Sequence, residues 1–412
     1  MIRRLAASVT LALVATVAFG AVPAQADAVR DGEYWLDEYG IRQAWATTQG
    51  AGITIAVIDT GVDGTVAELR GAVVGGADFS GLGSSNGQTP VGSTGSDHGT
   101  MVASLAAGRG TGADSGVIGS APAASILSVS IGFGEGATSS DDQIAAAVRW
   151  SVDNGADIIN MSLTRNTIDW PESWDDAFLY AAENNVVVVA AAGNRGSGTT
   201  QVGAPATMPG VLTVAGVDAG GEASFDASSQ GITISVAAPS ENLVGVVPGG
   251  GHVRWNGTSG AAPIVSGIVA LVMAAHPGLD AANVINRIVA TARDAGTPGS
   301  DPIYGFGLVD AAAAVTASVP TVSANPMGEL SEWITLYRRA DSTPAPLPSG
   351  VPYEAPEPVA LAPDSPLGTL LPTANQLRVA GIPLAVFGIF LTIATIAVSF
   401  GIRRAKTLRE TE

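Results

Sequence analysis

The sequence contains no cysteine, few charged residues and even fewer basic ones. Disulfide bonds are therefore excluded, but a chain of 412 residues with 46% apolar content can bury a sizeable core without them. Lysine and arginine number 19 against 37 acidic residues, which gives a net charge of −18. Six of the 19 basic residues lie in the first four and last ten positions, so the part between them is more acidic still. This balance argues against nucleic acid as a partner, because its phosphates require lysine and arginine.

Histidine is also scarce, with three in the whole chain. His252 lies in a glycine-rich segment, and His276 precedes Pro277 at the end of a long apolar run, where a capping role is expected. His98 follows Asp97 and opens a predicted helix with an apolar face. His98 is therefore the best candidate for a general base.

Two polar residues stand at the ends of apolar runs. Ser259 follows a turn of small residues and precedes the run 264–275, which predicts a buried helix. The N–H groups and positive dipole at such a helix start favour an oxyanion, although a capping serine is the alternative. Asp59 ends the run 53–58, which indicates a strand buried in a parallel sheet. That position is typical of α/β sites, and a turn-forming aspartate is the alternative.

The chain order Asp59, His98, Ser259 and the surrounding residues resemble the subtilisin-like serine proteases, the subtilases. The matching motifs are Val57-Ile58-Asp59-Thr60-Gly61, His98-Gly99-Thr100 and Gly257-Thr258-Ser259 with Ala262-Pro263. The resemblance implies that Ser259 is the nucleophile, that His98 is its general base and that Asp59 orients His98. It also implies cleavage of protein or peptide substrates through an acyl-enzyme.

Two further segments match the same family. Asn194 ends the apolar run 186–193, and the resemblance implies that it donates a hydrogen bond to the oxyanion; an ordinary Gly-Asn turn is the alternative. Ser162, Leu163 and Thr164 resemble a wall of the primary specificity pocket. Thr164 replaces a glycine there, so we expect its side chain to narrow or reshape the pocket entrance. No acid cluster has the spacing of a calcium site, so neither a metal nor a cofactor is predicted.

Apolar strand-like runs alternate with helical patterns from residue 51 to about 318. Such alternation predicts an α/β domain with a mostly parallel central sheet and helices on both faces, as the resemblance to subtilases also implies. Residues 27–50 are too short for a separate folded domain. We expect them to form an N-terminal leader that packs on the catalytic domain 51–318.

Both chain ends carry apolar segments. Residues 1–26 have the charged start, apolar core and small-residue cleavage site of a signal peptide. Residues 379–402 carry no charge and exceed the about 20 residues that span a bilayer, and the basic residues in 403–412 predict a cytoplasmic tail. The range 319–376 holds eleven of the 24 prolines and predicts an extended spacer. We therefore expect a single-pass cell-membrane protein whose catalytic domain is extracytoplasmic.

This layout resembles the mycosins, which are membrane-anchored subtilases associated with type VII secretion systems of actinobacteria. The resemblance implies a type VII secretion membrane complex as a partner. Two features depart from it: mycosins often carry cysteines, and a bulkier residue usually occupies the position of Gly260. Two alternatives stay open. The domain could serve mainly as a structural scaffold of a secretion complex, or as a general cell-surface protease unrelated to secretion.

Overall fold

The computed structural model describes residues 28–136 and 138–338. Its strands, in chain order, are β1 (Thr54–Asp59), β2 (Val73–Asp78), β3 (Ser125–Ser130), β4 (Ile158–Met161), β5 (Val187–Ala191), β6 (Leu212–Val217), β7 (Ile234–Pro239), β8 (Leu243–Val246) and β9 (His252–Trp255). Its helices are α1 (Trp35–Glu38), α2 (Ile41–Ala44), α3 (His98–Ala107), α4 (Ser140–Asp153), α5 (Ser173–Glu183), α6 (Thr258–Ala275), α7 (Ala281–Ala290), α8 (Ala311–Thr316) and α9 (Leu330–Tyr337). Short 3-10 turns cover Arg30–Gly32 and Arg195–Ser197.

Seven strands form one parallel sheet in the order β2-β3-β1-β4-β5-β6-β7. Strand β1 is a run of mostly β-branched and small apolar side chains, and all but its first residue are buried. This burial arises because helices cover both faces of a parallel sheet. Helix α3 packs with α6, and α4 packs with α5, as two helical layers. The predicted α/β fold with a parallel central sheet is confirmed.

The sheet order determines which residues meet at its carboxyl edge. Strand β1 ends at Asp59, β4 ends one residue before Ser162, and β5 ends shortly before Asn194. Because β1, β4 and β5 are neighbours and run parallel, these three positions lie along one edge. Strands β8 and β9 form an antiparallel hairpin that leads into α6 at the same edge. Candidate residues far apart in sequence are thereby gathered at one place.

Helix α6 is the apolar centre of the domain. It contacts β4, β5, β6 and β7, and most of its side chains are buried. Among the described residues it alone is long and apolar enough to cross a membrane, but its burial is that of a core helix. The predicted signal peptide 1–26, membrane span 379–402 and tail 403–412 lie outside the described residues.

Residues just before the sheet domain fold onto it. In the range predicted as a leader, Trp35, Leu36 and Ile41 are fully buried. The Arg30 guanidinium hydrogen-bonds to three backbone carbonyls in the loop 110–118. This segment is therefore part of the same core rather than a separate unit.

Residues after the sheet domain differ from the predicted spacer. Helix α9 lies inside the range 319–376, yet it packs on α5, and the Trp333 ring packs against the Trp170 ring with centroids 4.4 Å apart and planes tilted by 42°. Its apolar face is only two turns long, which is too short to stand out as a periodic pattern. The part of the predicted spacer from residue 339 lies outside the described residues.

Candidate active site

Asp59 and His98 are joined by hydrogen bonds at the carboxyl edge of the sheet. The His98 Nδ1 atom lies 2.9 Å from Asp59 Oδ1 and 3.0 Å from Asp59 Oδ2. Asp59 is fully buried at the end of β1, and His98 is the first residue of α3. The N–H of Thr60 also donates to Asp59 Oδ1, at 2.7 Å. A carboxylate on Nδ1 favours the tautomer with its proton there, which leaves Nε2 free to accept a proton.

The Thr60 side chain ties the end of β1 to the start of α3. Its hydroxyl accepts a hydrogen bond from the Gly99 N–H at 3.0 Å and donates one to the Ser96 carbonyl at 3.2 Å. A Cβ atom on Gly99 would lie 2.4 Å from the Gly61 carbonyl oxygen, so this close approach requires glycine. The strand end and the helix start are therefore held in one arrangement, with the imidazole against its carboxylate.

The pKa of the His98 imidazole lies above its ordinary value. Burial disfavours the charged ring and lowers the pKa, but the charge and hydrogen bond of Asp59 and the charge of Asp97 together raise it more. The side chain of His98 is 26% exposed, so water still reaches part of the ring. The site thus stabilises an imidazolium at this position.

Ser259 lies in the first turn of α6 and is hydrogen-bonded to the end of β4. Its hydroxyl donates to the Ser162 carbonyl at 3.2 Å, and the Ser162 hydroxyl donates to the Ser259 carbonyl at 2.8 Å. The sequence predicts a Ser259–His98 hydrogen bond, and none is present among the residues that the structure describes. The Trp255 indole lies near both segments: its ring centroid is 5.8 Å from that of His98, and a Cβ on Gly260, the residue after Ser259, would lie 3.3 Å from the indole. Catalytic hydrogen bonds of free enzymes often form fully only with substrate.

Asn194 faces the start of α6 with its amide oriented by hydrogen bonds. Its Oδ1 atom accepts from both the N–H and the hydroxyl of Thr258, each at 2.9 Å. The Thr258 hydroxyl in turn accepts from the Gly193 N–H at 3.1 Å. The Nδ2 group of Asn194 makes no hydrogen bond within the described part of the chain, and it lies 2.9 Å from the position of a Cβ on Gly257. The Asn194 amide therefore holds an unpaired N–H donor next to Gly257, two residues before Ser259.

The segment Ser162 to Thr164 leaves β4 beside Ser259. The Ser162 hydroxyl also accepts a hydrogen bond from the buried side-chain amide of Asn160 at 3.0 Å. The Ser266 hydroxyl of α6 donates to Asn160 Oδ1 at 2.9 Å. This buried polar chain connects strand β4 to helix α6, and all of its members are hydrogen-bonded. The sequence shows only one sign of it, an asparagine within an otherwise apolar strand.

The Thr164 side chain lies between two glycines of the facing segment. A Cβ on Gly193 would come 3.2 Å from Thr164 Cγ2, and a Cβ on Gly203 would come 2.8 Å from Thr164 Oγ1. Leu163 is buried, with 8% exposure, so Thr164 is the member of the segment that lines the space toward Gly193. These separations place the Thr164 side chain close to the backbone of both glycines, and the narrowing of a pocket entrance stays a prediction.

Three contributors to the site were not singled out from the sequence. Thr60 and Thr258 belong to recognised motifs, but their hydrogen bonds depend on loops distant in sequence. Trp255 is a large aromatic residue only four positions before Ser259, and this short spacing is the one sequence feature that indicates a place near the site. In the described part of the chain, no group of three or more His, Asp and Glu side chains could hold a metal ion.

The model of the subtilase family, Peptidase_S8, matches residues 50–307. This match covers more than half of the chain, and the chain belongs to the subtilase family. The enzyme class predicted from the sequence, a subtilisin-like serine endopeptidase, is confirmed by this membership.

Two curated relatives show how much of the chain is similar to known subtilases. Fervidolysin from Fervidobacterium pennivorans is 34% identical over 323 residues, which are 70% of this chain and 44% of fervidolysin. Subtilisin DY from Bacillus licheniformis is 34% identical over 271 residues, which are 65% of this chain and 92% of that subtilisin. The chain thus spans less than half the length of one relative and nearly all of the other.

A solved mycosin structure is also similar. It is MycP1, described as an essential component of the type VII (ESX-1) secretion system. The two structures superpose with a TM-score of 0.59 and 33% identity, covering 71% of this chain and 90% of MycP1. The predicted similarity to mycosins is confirmed by this match.

Proposed function

We propose that this protein is a membrane-anchored extracytoplasmic serine endopeptidase that acts through Asp59, His98 and Ser259. The observation that carries the proposal is the hydrogen-bonded pair of a buried Asp59 and His98 beside a serine at the start of α6. A serine hydroxyl is a weak nucleophile and needs a base, and the base needs a third group to fix its tautomer. Here Ser259 supplies the hydroxyl, His98 is the base, and Asp59 is the group that fixes its tautomer.

The reaction begins with rotation of the Ser259 hydroxyl from the Ser162 carbonyl to His98 Nε2. As Ser259 Oγ attacks the peptide carbonyl, His98 takes its proton, and the Asp59 carboxylate stabilises the imidazolium. His98 then donates this proton to the leaving amine, and the acyl-enzyme remains on Ser259. A water molecule, deprotonated by the same imidazole, hydrolyses it.

Charge that develops on the substrate oxygen is stabilised by Asn194 Nδ2 and the N–H of Ser259. The support for this role is that Thr258 occupies the amide oxygen and leaves the Nδ2 donor unpaired in the described structure. A donor fixed before the reaction needs no reorganisation when the oxyanion forms. Ser162, Leu163 and Thr164 bind the substrate side chain that precedes the scissile bond.

The cellular setting completes the proposal. The signal peptide 1–26 and the apolar segment 379–402 would place the domain outside the membrane, with the basic tail 403–412 in the cytoplasm. Similarity to MycP1 favours a role in a type VII secretion membrane complex. The substrates are then proteins or peptides that reach the outer face of the membrane.

The catalytic part of the proposal is tested with the purified full-length chain and a peptide library. We expect wild-type protein to cleave peptides and to be labelled by a serine-directed phosphonate, and Ser259→Ala to do neither. Cleavage or labelling that persists in Ser259→Ala would overturn the assignment of the nucleophile.

The secretion part is tested in the host cell. Loss of the protein should impair secretion through the type VII system, and deletion of 379–412 should release the protein from the membrane fraction. If Ser259→Ala restores secretion fully, the scaffold role is the essential one. If secretion does not depend on the protein at all, the alternative of a general surface protease is correct.

A further inference from the structure

Trp255 is the last residue of β9 and lies against two parts of the candidate active site. Its ring meets the His98 ring edge to face, with centroids 5.8 Å apart and planes at 75°. It also borders Gly260, the residue after Ser259, where a Cβ would lie 3.3 Å from the indole. Trp255 is the only residue of β9 that is not exposed. One side chain therefore contacts the imidazole and the turn that carries the nucleophile.

Two glycines create the space for this indole. A Cβ on Gly245 would lie 2.9 Å from Trp255 Nε1, and a Cβ on Gly260 would lie 2.2 Å from Leu243 Cδ1. Leu243 is directly opposite Trp255 in the hairpin register and is fully buried. Trp255 and Leu243 together fill the volume that a larger residue at position 260 would need.

The hairpin that carries Trp255 is closed by a hydrogen bond at its base and attached to the rest of the domain at its tip. At its base, the Asn242 N–H donates to the Asn256 side chain at 2.7 Å. At its tip, the Gly249 N–H donates to the Asp63 carboxylate at 2.8 Å, and His252 Nε2 lies 2.7 Å from the buried carboxylate of Glu68. The position of the indole is thereby fixed from outside the site.

We propose that Trp255 is a positioning residue, held by the β8–β9 hairpin, that keeps the His98 imidazole in the orientation needed to serve Ser259. The inference rests on the proposed function, because it assigns an orienting role toward the general base. Asp59 holds the ring by one nitrogen only, which leaves the ring free to tilt about that hydrogen bond. The edge-to-face contact with the Trp255 indole restricts this tilting of the His98 ring. Aromatic pairs prefer such a geometry.

The same contact shields His98 from water, which gives the proposal a second consequence. Burial lowers the pKa of His98, while Asp59 and Asp97 raise it. His252 and Arg254 alternate with Trp255 along β9, so they project from its other side. Without the indole the ring is better hydrated, its pKa rises further, and the neutral base is available only at higher pH.

The test compares Trp255→Leu and Trp255→Phe in the full-length chain with Val253→Ala as the matched control, since Val253 is exposed on the same strand. We expect Trp255→Leu to lower kcat about tenfold with KM changed by less than about twofold, and to move the acid limb of kcat/KM to higher pH. Trp255→Phe keeps a ring against His98 and should recover most of the rate. Val253→Ala should match wild type.

The outcomes separate this proposal from the proposed function. If Trp255→Leu leaves both kcat and the acid limb unchanged, the positioning role is wrong, while an inactive Ser259→Ala would still support the triad. An active Ser259→Ala would instead overturn the triad itself. If thermal unfolding shows that Trp255→Leu does not fold, Trp255→Met is measured in its place, because it fills a similar volume without a ring. A merely structural role would lower the unfolding temperature without moving the acid limb, which also contradicts the proposal.

Discussion

The amide oxygen of Asn194 accepts hydrogen bonds from both the N–H and the hydroxyl of Thr258, each at 2.9 Å. Thr258 immediately precedes Ser259, so the turn that presents the proposed nucleophile also orients the amide. Because Oδ1 is occupied twice, the direction of Nδ2 is settled before any substrate binds. An Asn and a Thr 64 residues apart thus form one preorganised unit.

Replacing Asn194 with Asp should therefore damage the rate rather than the fold. The aspartate keeps an acceptor for Thr258 but removes the donor and adds a negative charge beside the oxyanion. In subtilisin the loss of one such donor costs about 10²–10³ in kcat, and we expect at least this effect with little change in KM. Steady-state kinetics measure it, and an unfolding temperature close to wild type is the control. A kcat within a few-fold of wild type would remove Asn194 from the mechanism.

The charge of Asp97 should control the acid limb of the activity profile. It raises the pKa of His98, and the base is active only when neutral. Asp97→Asn removes this charge, so the pKa should fall and the acid limb of kcat/KM should move to lower pH. The shift should shrink at high salt because Asp97 is partly exposed. A shift to higher pH, or one that salt does not affect, would show that another interaction dominates.

Short-range sequence patterns were sufficient to predict the sheet and the residues at its edge. Asp59, His98 and Ser259 each end or begin a strongly apolar element, and α/β folds gather such positions at one edge. The motif residues therefore carried the prediction of the site. The strand β1 was equally clear, because a short continuous run of β-branched residues that ends in a turn is typical of a buried strand.

Contacts between distant segments could not be predicted in the same way. Trp255 reaches His98 only because the β8–β9 hairpin folds over α3, and nothing in the local sequence specifies that docking. Helix α9 was missed since its stability comes from packing against Trp170 rather than from its own periodicity. In both cases tertiary contacts decide the structure, and a single sequence does not show them.

Gly260, the glycine after Ser259, should resist enlargement. In Gly260→Ala the new methyl would approach Leu243 Cδ1 to 2.2 Å inside a fully buried region. We expect a loss of about 1–3 kcal/mol in the free energy of unfolding. Leu243→Ala alone should cost about 2–5 kcal/mol through the cavity it leaves. The double variant should cost less than the sum of the two, and denaturant unfolding measures the coupling. If the stability losses of the two single variants simply add in the double variant, the close packing of Gly260 against Leu243 is contradicted.

Arg338 should stabilise the junction of α9 with the catalytic domain. Its Nε donates to the Asp175 carboxylate at 2.9 Å, and one terminal nitrogen donates to the Trp170 carbonyl at 2.8 Å. Arg338→Ala leaves a buried carboxylate with one partner fewer, so we expect a loss of about 1–3 kcal/mol in unfolding free energy. Arg338→Lys should be intermediate, because it cannot stack on Trp333 in the same way. Exposed Ser331→Ala is the control, and an equal loss there would contradict the assignment.

Thr164 should limit the size of the substrate side chain that precedes the scissile bond. Its methyl group lies 3.2 Å from the position of a Cβ on Gly193, so it occupies space that a glycine would leave open. Thr164→Gly removes three heavy atoms and should raise kcat/KM for large apolar side chains relative to alanine by at least about 10-fold, the lower end of the range for a single methylene. Thr164→Val has nearly the same shape and should keep the wild-type preference. A peptide library varied at that position measures both profiles. If Thr164→Gly and wild type prefer the same side chains, Thr164 does not line the pocket; if Thr164→Val behaves like Thr164→Gly, the hydroxyl rather than the methyl sets the preference.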